Sequence, residues 1–181
     1  MGLASCVALA SACDGDPRGD DVDAWEAVPD IPYCAGAADW DPQWSELEEQ
    51  ILAQVNDARA HGADCRTAGN FPATTPLRMD PALRCAARLH SGDMAARDYF
   101  EHDDPDGGSP FERIADAGYS WSTAGENIAA GSPDAAGTMA QWMGSDGHCS
   151  NIMNPGFDDI GVGYHPGGAY GHLWTQTFGA R

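Results

Sequence analysis

Gly125-Glu126-Asn127-Ile128-Ala129-Ala130-Gly131 joins a carboxylate and an amide to a strand-like apolar pair, with a glycine at each end. Glycine tolerates backbone angles that other residues avoid, so both ends can turn sharply or lie against other backbone. A Glu held in such a stretch is a candidate for a fixed, partly buried carboxylate. Histidines flank it: His90 and His102 upstream, His148, His165 and His172 downstream, with only His61 set well apart. Short glycine-bracketed matches are common, so the stretch alone reads as a tight connection that carries a Glu. The case for chemistry rests on the rest of the chain.

Upstream, the patterns are helical. Leu47, Ile51 and Val55 recur every four residues, and the helix they define stops near His61-Gly62. Residues 64–76 read as a loop. Asp80-Pro81 is a helix start, because Asp caps free amides and Pro suits the first helical position. The helix from Pro81 runs to about Asp98, with Leu83, Ala86, Ala87, His90 and Met94 on its apolar stripe. Ser109-Pro110-Phe111-Glu112 is a capping box opening a short helix that ends at Gly118. Downstream, Ser132-Pro133 opens another helix carrying Met139, Trp142 and Met143. Ile160 to Tyr164 is strand-like. His172 to Phe178 alternates as a final strand, with His172, Trp174, Gln176 and Phe178 on one face. Helices first and strands last predict an α+β layered domain rather than an alternating βαβ fold.

The 181 residues suffice for one domain plus some extra sequence, and 43% hydrophobic residues supply a core. Nine basic against 28 acidic residues give a formal charge of −19, and every basic side chain is Arg. That balance argues against nucleic acid, whose binding depends on neutralising phosphates. It also argues against an anionic membrane surface, while cations and neutral ligands stay open. Residues 1–13 are short, small and apolar, resembling the end of an export or lipoprotein signal, though without its positively charged start. A lipid anchor on Cys6 or Cys13 is therefore the one expected link to a membrane. Residues 14–43 read as an acidic linker with Pro17, Pro29 and Pro32. The folded domain is expected over 44–181. No pair of the six cysteines has Cys-x-x-Cys spacing, and scattered cysteines fit disulfides in an exported protein.

Several pieces, in order, carry a resemblance. They are Ala86-Ala87-Arg88-Leu89-His90-Ser91-Gly92-Asp93-Met94, Tyr99-Phe100-Glu101-His102, Ser109-Pro110-Phe111-Glu112-Arg113, Ala117-Gly118-Tyr119 and Gly125-Glu126-Asn127-Ile128-Ala129. Trp142-Met143, Gly147-His148-Cys149-Ser150-Asn151, Ile160-Gly161-Val162-Gly163 and Trp174-Thr175-Gln176 complete them. The chain resembles the CAP superfamily of cysteine-rich secretory, antigen 5 and pathogenesis-related 1 proteins, in its bacterial secreted SCP-domain branch. The resemblance implies a three-layer α-β-α sandwich and a secreted or lipid-anchored protein at the cell envelope. It also implies a cleft tetrad of two His and two Glu, which falls on His102, Glu126, His148 and, for the second Glu, Ser145. That departure removes one carboxylate. His90 and His172 are further candidates for lining the cleft.

By this carry-over, His102, Glu126 and His148 are the implied ligands of Zn²⁺ or another divalent cation, with a position left for water. The same three could instead form a hydrogen-bonded polar cluster beneath a binding cleft. The first functional expectation is a binding module for a lipid, glycan or protein ligand. The alternative is a metal-dependent, protease-like hydrolase; the resemblance leaves catalysis open. Ser145, Asp146 and His148 are local neighbours that read as a polar loop at a helix end rather than a catalytic triad. Four cysteines allow three connectivities. Cys65–Cys85 is the preferred pair, since a loop of that size closes readily against a helix start, which leaves Cys34–Cys149.

Overall fold

The computed structural model describes residues 27–181. The signal-like start, Cys6, Cys13, Pro17 and Trp25 lie outside the described residues. The first described element is a 3-10 turn, Pro32–Ala37. Helix α1 (Pro42–His61) follows, its start capped by the Asp41 carboxylate, which accepts from Gln43 N at 2.8 Å. It ends where Gly62 takes a φ of +79°. The segment expected to be a loop contains a small antiparallel ribbon, β1 (Ala63–Asp64) with β2 (Asn70–Phe71). After β3 (Arg78–Met79), α2 (Pro81–Arg97) starts under Asp80, whose Oδ1 accepts from Ala82 N and Leu83 N. The capping box forms as read: Ser109 and Glu112 exchange side chain-to-backbone bonds at the start of α3 (Pro110–Asp116).

The Gly125–Gly131 stretch is no tight connection. Most of it belongs to an eight-residue strand, β4 (Thr123–Ala130), paired along its whole length with β6 (His172–Ala180). Helix α4 (Ala135–Met143) begins past the expected Ser132-Pro133 start, because the carboxylate of Asp134 takes Gly137 N at 2.8 Å, while Ser132 Oγ donates to Asp134 O. Helix α5 (Asp146–Met153) and strand β5 (Asp159–Pro166) complete the chain before β6.

The main sheet runs β3-β5-β6-β4, parallel at β3/β5 and antiparallel elsewhere. Both of its faces are covered, as layered α+β packing requires. Ile160, Val162, Tyr164, Trp174 and Phe178 pack with Ile51 and Val55 of α1, Met139 and Trp142 of α4, and Ile152 of α5. On the other face, Thr175 meets Ser91 and Thr177 donates to Leu83 O, so α2 lies there. Gly161 and Gly163 permit this approach: a Cβ at either would run into the α2 backbone at Leu83-Arg84 or Ala87-Arg88. The result is a three-layer α-β-α sandwich.

One buried ionic knot spans the layers. Glu48 of α1 is fully buried and holds Arg84 at 3.0 Å and Arg88 at 2.7 Å, both from α2. It also accepts from Tyr164 N at 3.2 Å, on the part of β5 that extends past two-residue β3.

The disulfides are Cys34–Cys85 and Cys65–Cys149, which corrects both expected pairings. Cys65 and Cys149 belong to the core on the α1/α4/α5 face. Cys34 and Cys85 belong to the core around α2 and α3. The sheet stands between Cys65 and Cys85, so their short separation in sequence brings no contact. Cys34 does pin the N-terminal segment to the domain, through α2.

Candidate functional site

Strand β4 is the last strand of the sheet, and the site is built along it. Glu126 lies opposite Thr177 in register, on the α2 face, with its side chain 3% exposed. A buried carboxylate needs partners for both oxygens. Oε1 accepts from His102 Nδ1 at 2.8 Å, and Oε2 accepts from Arg113 Nη2 at 3.1 Å. The turn after α2 delivers His102, and the capping box delivers Arg113 one turn into α3. Arg113 also donates to His102 O at 2.6 Å and to Gly108 O at 3.0 Å.

His90 comes from the apolar stripe of α2, as its spacing predicts. Its Nε2 is 3.9 Å from Glu126 Oε1, but its hydrogen bond goes to Glu101 O at 3.1 Å. Burial pushes its pKa down to about 4 against the pull of Glu126, so the ring is neutral. The hydrogen bond to Glu126 raises the pKa of His102, with burial working against it. His148 moves the other way: burial lowers it first, and the charge of His102 adds to the effect. His102 and His148 are thus close enough to sense one another.

His148 reaches the site on α5, which is fastened to β4 by side-chain amides. Asn127 Nδ2 donates to His148 O at 3.1 Å and to Gln176 Oε1 at 3.1 Å, while Asn151 Nδ2 donates to Asn127 Oδ1 at 2.9 Å. Cys149, next in sequence, is tied to Cys65. Beside His148 lies a cavity of about 280 Å³, walled by Phe100, Ile128, Ala129, Ala130 and Trp142 with Gln141 and Ser145.

The remaining expected residues divide. Ser145 lines this cavity and precedes α5, but makes no side-chain cap. Asp146 pairs with Arg66 Nε at 2.7 Å and with Thr67 Oγ1. Its bonds therefore go to the loop that carries Cys65, away from any relay with Ser145 and His148. His172 bonds through Nδ1 to Tyr164 OH at 2.7 Å and stacks on that ring. Arg113 and Asn127 escape the sequence reading as functional residues. Both stand inside quoted motifs, yet a buried Arg and a buried Asn become visible only once their acceptors are in place.

These features define a class: an α-β-α sandwich with a His/Glu cleft along the end strand, stapled by disulfides. The chain belongs to the CAP, or cysteine-rich secretory protein, family, whose model matches residues 52–178. It is 46% identical over 103 residues to YkwD of Bacillus subtilis (strain 168), covering 57% of this chain and 39% of that protein. It thus spans under half the length of this relative. Among solved structures it is similar to an extracellular SCP-domain protein of Bacillus anthracis str. Ames, at 28% identity and a TM-score of 0.59, over 78% of this chain and 44% of that one. An outer surface protein of Borrelia burgdorferi shares the fold, at 19% identity and a TM-score of 0.56, over 77% and 90% of the two chains. The chain is a CAP-domain protein. Among the described residues no helix is long and apolar enough to cross a membrane.

Proposed function

We propose that this domain is a binding module for an amphiphilic ligand with one apolar chain and a polar or anionic head. The observation that carries this reading is the cavity beside His148, whose walls are mostly apolar and whose ionisable wall residue is His148 alone. Apolar walls with a few placed polar groups suit small-ligand sites, and about 280 Å³ lies just below their usual ~300–1,000 Å³ range. That volume suits a single acyl chain better than a fused-ring body or a glycan. The head would sit at His148, near His102. Glu126 is engaged by Arg113 and His102, so it contributes order rather than a free base.

Zn²⁺ or another divalent cation is a second proposed occupant of the same cleft. Among the described residues no three His, Cys, Asp or Glu side chains gather as a ligand set, and both Glu126 oxygens already have partners. The donors that fit are the imidazoles of His102 and His148. Glu126 would orient His102 from behind, as carboxylates commonly do for metal-bound His. A cation there would supply Lewis acidity to a ligand head group.

The test is fluorescence titration of the full chain with cis-parinaric acid. Saturable binding is expected in the parent, at least tenfold weaker in Ala130→Trp, which fills the cavity, and weakened in His148→Ala. A parent that shows no saturable binding, or an Ala130→Trp variant that binds equally well, would remove the amphiphile reading.

A further inference from the structure

Glu126 is a buried carboxylate met, among the described residues, by three ionisable side chains: His90, His102 and Arg113. Their parts differ. His90 commits Nε2 to Glu101 O and lies 3.9 Å away. His102 is half exposed and depends on Glu126 for its own orientation. Arg113 is 9% exposed and always charged. Its guanidinium is anchored independently of Glu126, through Nη1 on Gly108 O and Nη2 on His102 O. The same Nη2 lies 3.1 Å from Oε2 and 3.4 Å from Oε1 of Glu126. One nitrogen therefore holds both the backbone of His102 and the carboxylate that its ring faces.

We propose that Arg113 is the positioning residue of the cleft: it clamps the Glu126 carboxylate so that Oε1 faces His102 Nδ1 and fixes that ring in one tautomer, with Nε2 as the nitrogen open to a ligand. The contact with the His102 ring runs from Arg113 through Glu126, while the direct bond of Arg113 to His102 O holds the backbone of that residue. A carboxylate can only accept, so the bond to Nδ1 requires the proton on Nδ1. Without the clamp, the Glu126 carboxylate would keep its hydrogen bond with His102 and the 3.9 Å approach of His90, both at Oε1, and would be free to turn about its terminal torsion, which is broad for a carboxylate. The Ser109/Glu112 capping box explains how Arg113 reaches its place. It fixes where α3 starts, and a charged side chain one turn later then points back to the Gly108 and His102 carbonyls. The inference concerns the protein alone and does not depend on which ligand or ion the cleft takes.

The experiment is ¹H–¹⁵N spectroscopy of the histidine side chains in the full chain, at a fixed pH of about 8.5, well above the ordinary histidine pKa because the bond to Glu126 raises that of His102. In the parent, His102 should show the Nδ1–H form with a protected Nδ1 proton. In Arg113→Met that proton signal should be lost and the two tautomers should average, while Arg113→Lys, which restores charge without the fork, should recover part of it. Arg113→Met leaves a buried carboxylate without its cation and risks misfolding. A neutral pair of variants avoids this. In Glu126→Gln, Arg113 can donate only to the amide oxygen, which turns the amide NH₂ toward Nδ1 and should switch His102 to the Nε2–H tautomer. In the double variant Arg113→Met/Glu126→Gln the amide is free to flip, and His102 should show a mixture. A protected Nδ1 proton that survives in folded Arg113→Met, or one and the same tautomer in Glu126→Gln and the double variant, would overturn the assignment and leave Arg113 as a cap for two carbonyls.

Discussion

Replacing both Cys65 and Cys149 by Ala tests how α5, and with it His148, is held. The bond closes a sequence separation of 84 residues. By chain entropy, opening a loop of that size destabilises the folded state by ~4.5 kcal/mol. For a domain of this size each kcal/mol moves the Tm by roughly 2–4 °C, so the Tm should fall by roughly 9–18 °C. The assay is thermal unfolding followed by circular dichroism, with the His148 ring signals recorded below the transition. The remaining ties of α5 include the Asn127 amide on His148 O and the Arg66–Asp146 pair. These exposed or partly buried bonds are worth about 1 kcal/mol each, too little to replace the staple. The control is Cys34→Ala with Cys85→Ala. Its separation of 51 residues corresponds to ~4 kcal/mol, yet it frees only the N-terminal segment. It should lower the Tm by a similar amount and leave the His148 signals unmoved. A fall under roughly 4 °C for the Cys65/Cys149 pair, or His148 signals that shift equally in both variants, would refute the view of this disulfide as the strut of the site.

Gly161→Ala drives a methyl group into the Leu83-Arg84 backbone, so α2 must move off the sheet. Urea unfolding should show a loss of at least ~3 kcal/mol, at or beyond the top of the usual ~1–3 for overpacking, and wild-type stability would contradict the close packing. His90 has a folded pKa depressed to about 4 from 6.5. Its contribution is present above pH ~6.5 and is lost as pH falls toward ~4, up to ~3 kcal/mol in all; a His90→Gln variant should show a shallower stability loss between those pH values, and identical slopes would count against it. Calorimetric titration of the full chain with Zn²⁺ should give one site that disappears in His148→Ala, and no saturable heat in the parent would dismiss the cation.

The elements that sequence reading finds are those whose signal is local. Asp80-Pro81 and Ser109 with Glu112 announce helix starts because capping is a matter of neighbouring atoms. Leu47, Ile51 and Val55 announce α1 because one of its faces stays wet. Strand β4 carries no such mark: Glu126 to Ala129 are buried on both faces, so no alternation survives, and Gly125 suggests a turn. The disulfides are not legible in this way, because pairing depends on which side of the sheet a cysteine falls, and Cys65 and Cys85 fall on opposite sides. For the site, family motifs place His102 and Glu126 together, and they do meet at 2.8 Å. The role of Arg113 stays hidden, because a buried charge is recognised by its acceptors and not by its position in the chain.

The Glu48 knot has a kinetic meaning. It binds α1, α2 and the free length of β5 at one fully buried point, so neither outer helix can peel away without exposing an unpaired charge to the interior. Slow amide exchange should therefore be shared: the central amides of α1 and α2 should open in a single global event, at one common rate, while those of the β1/β2 ribbon exchange earlier through local fraying.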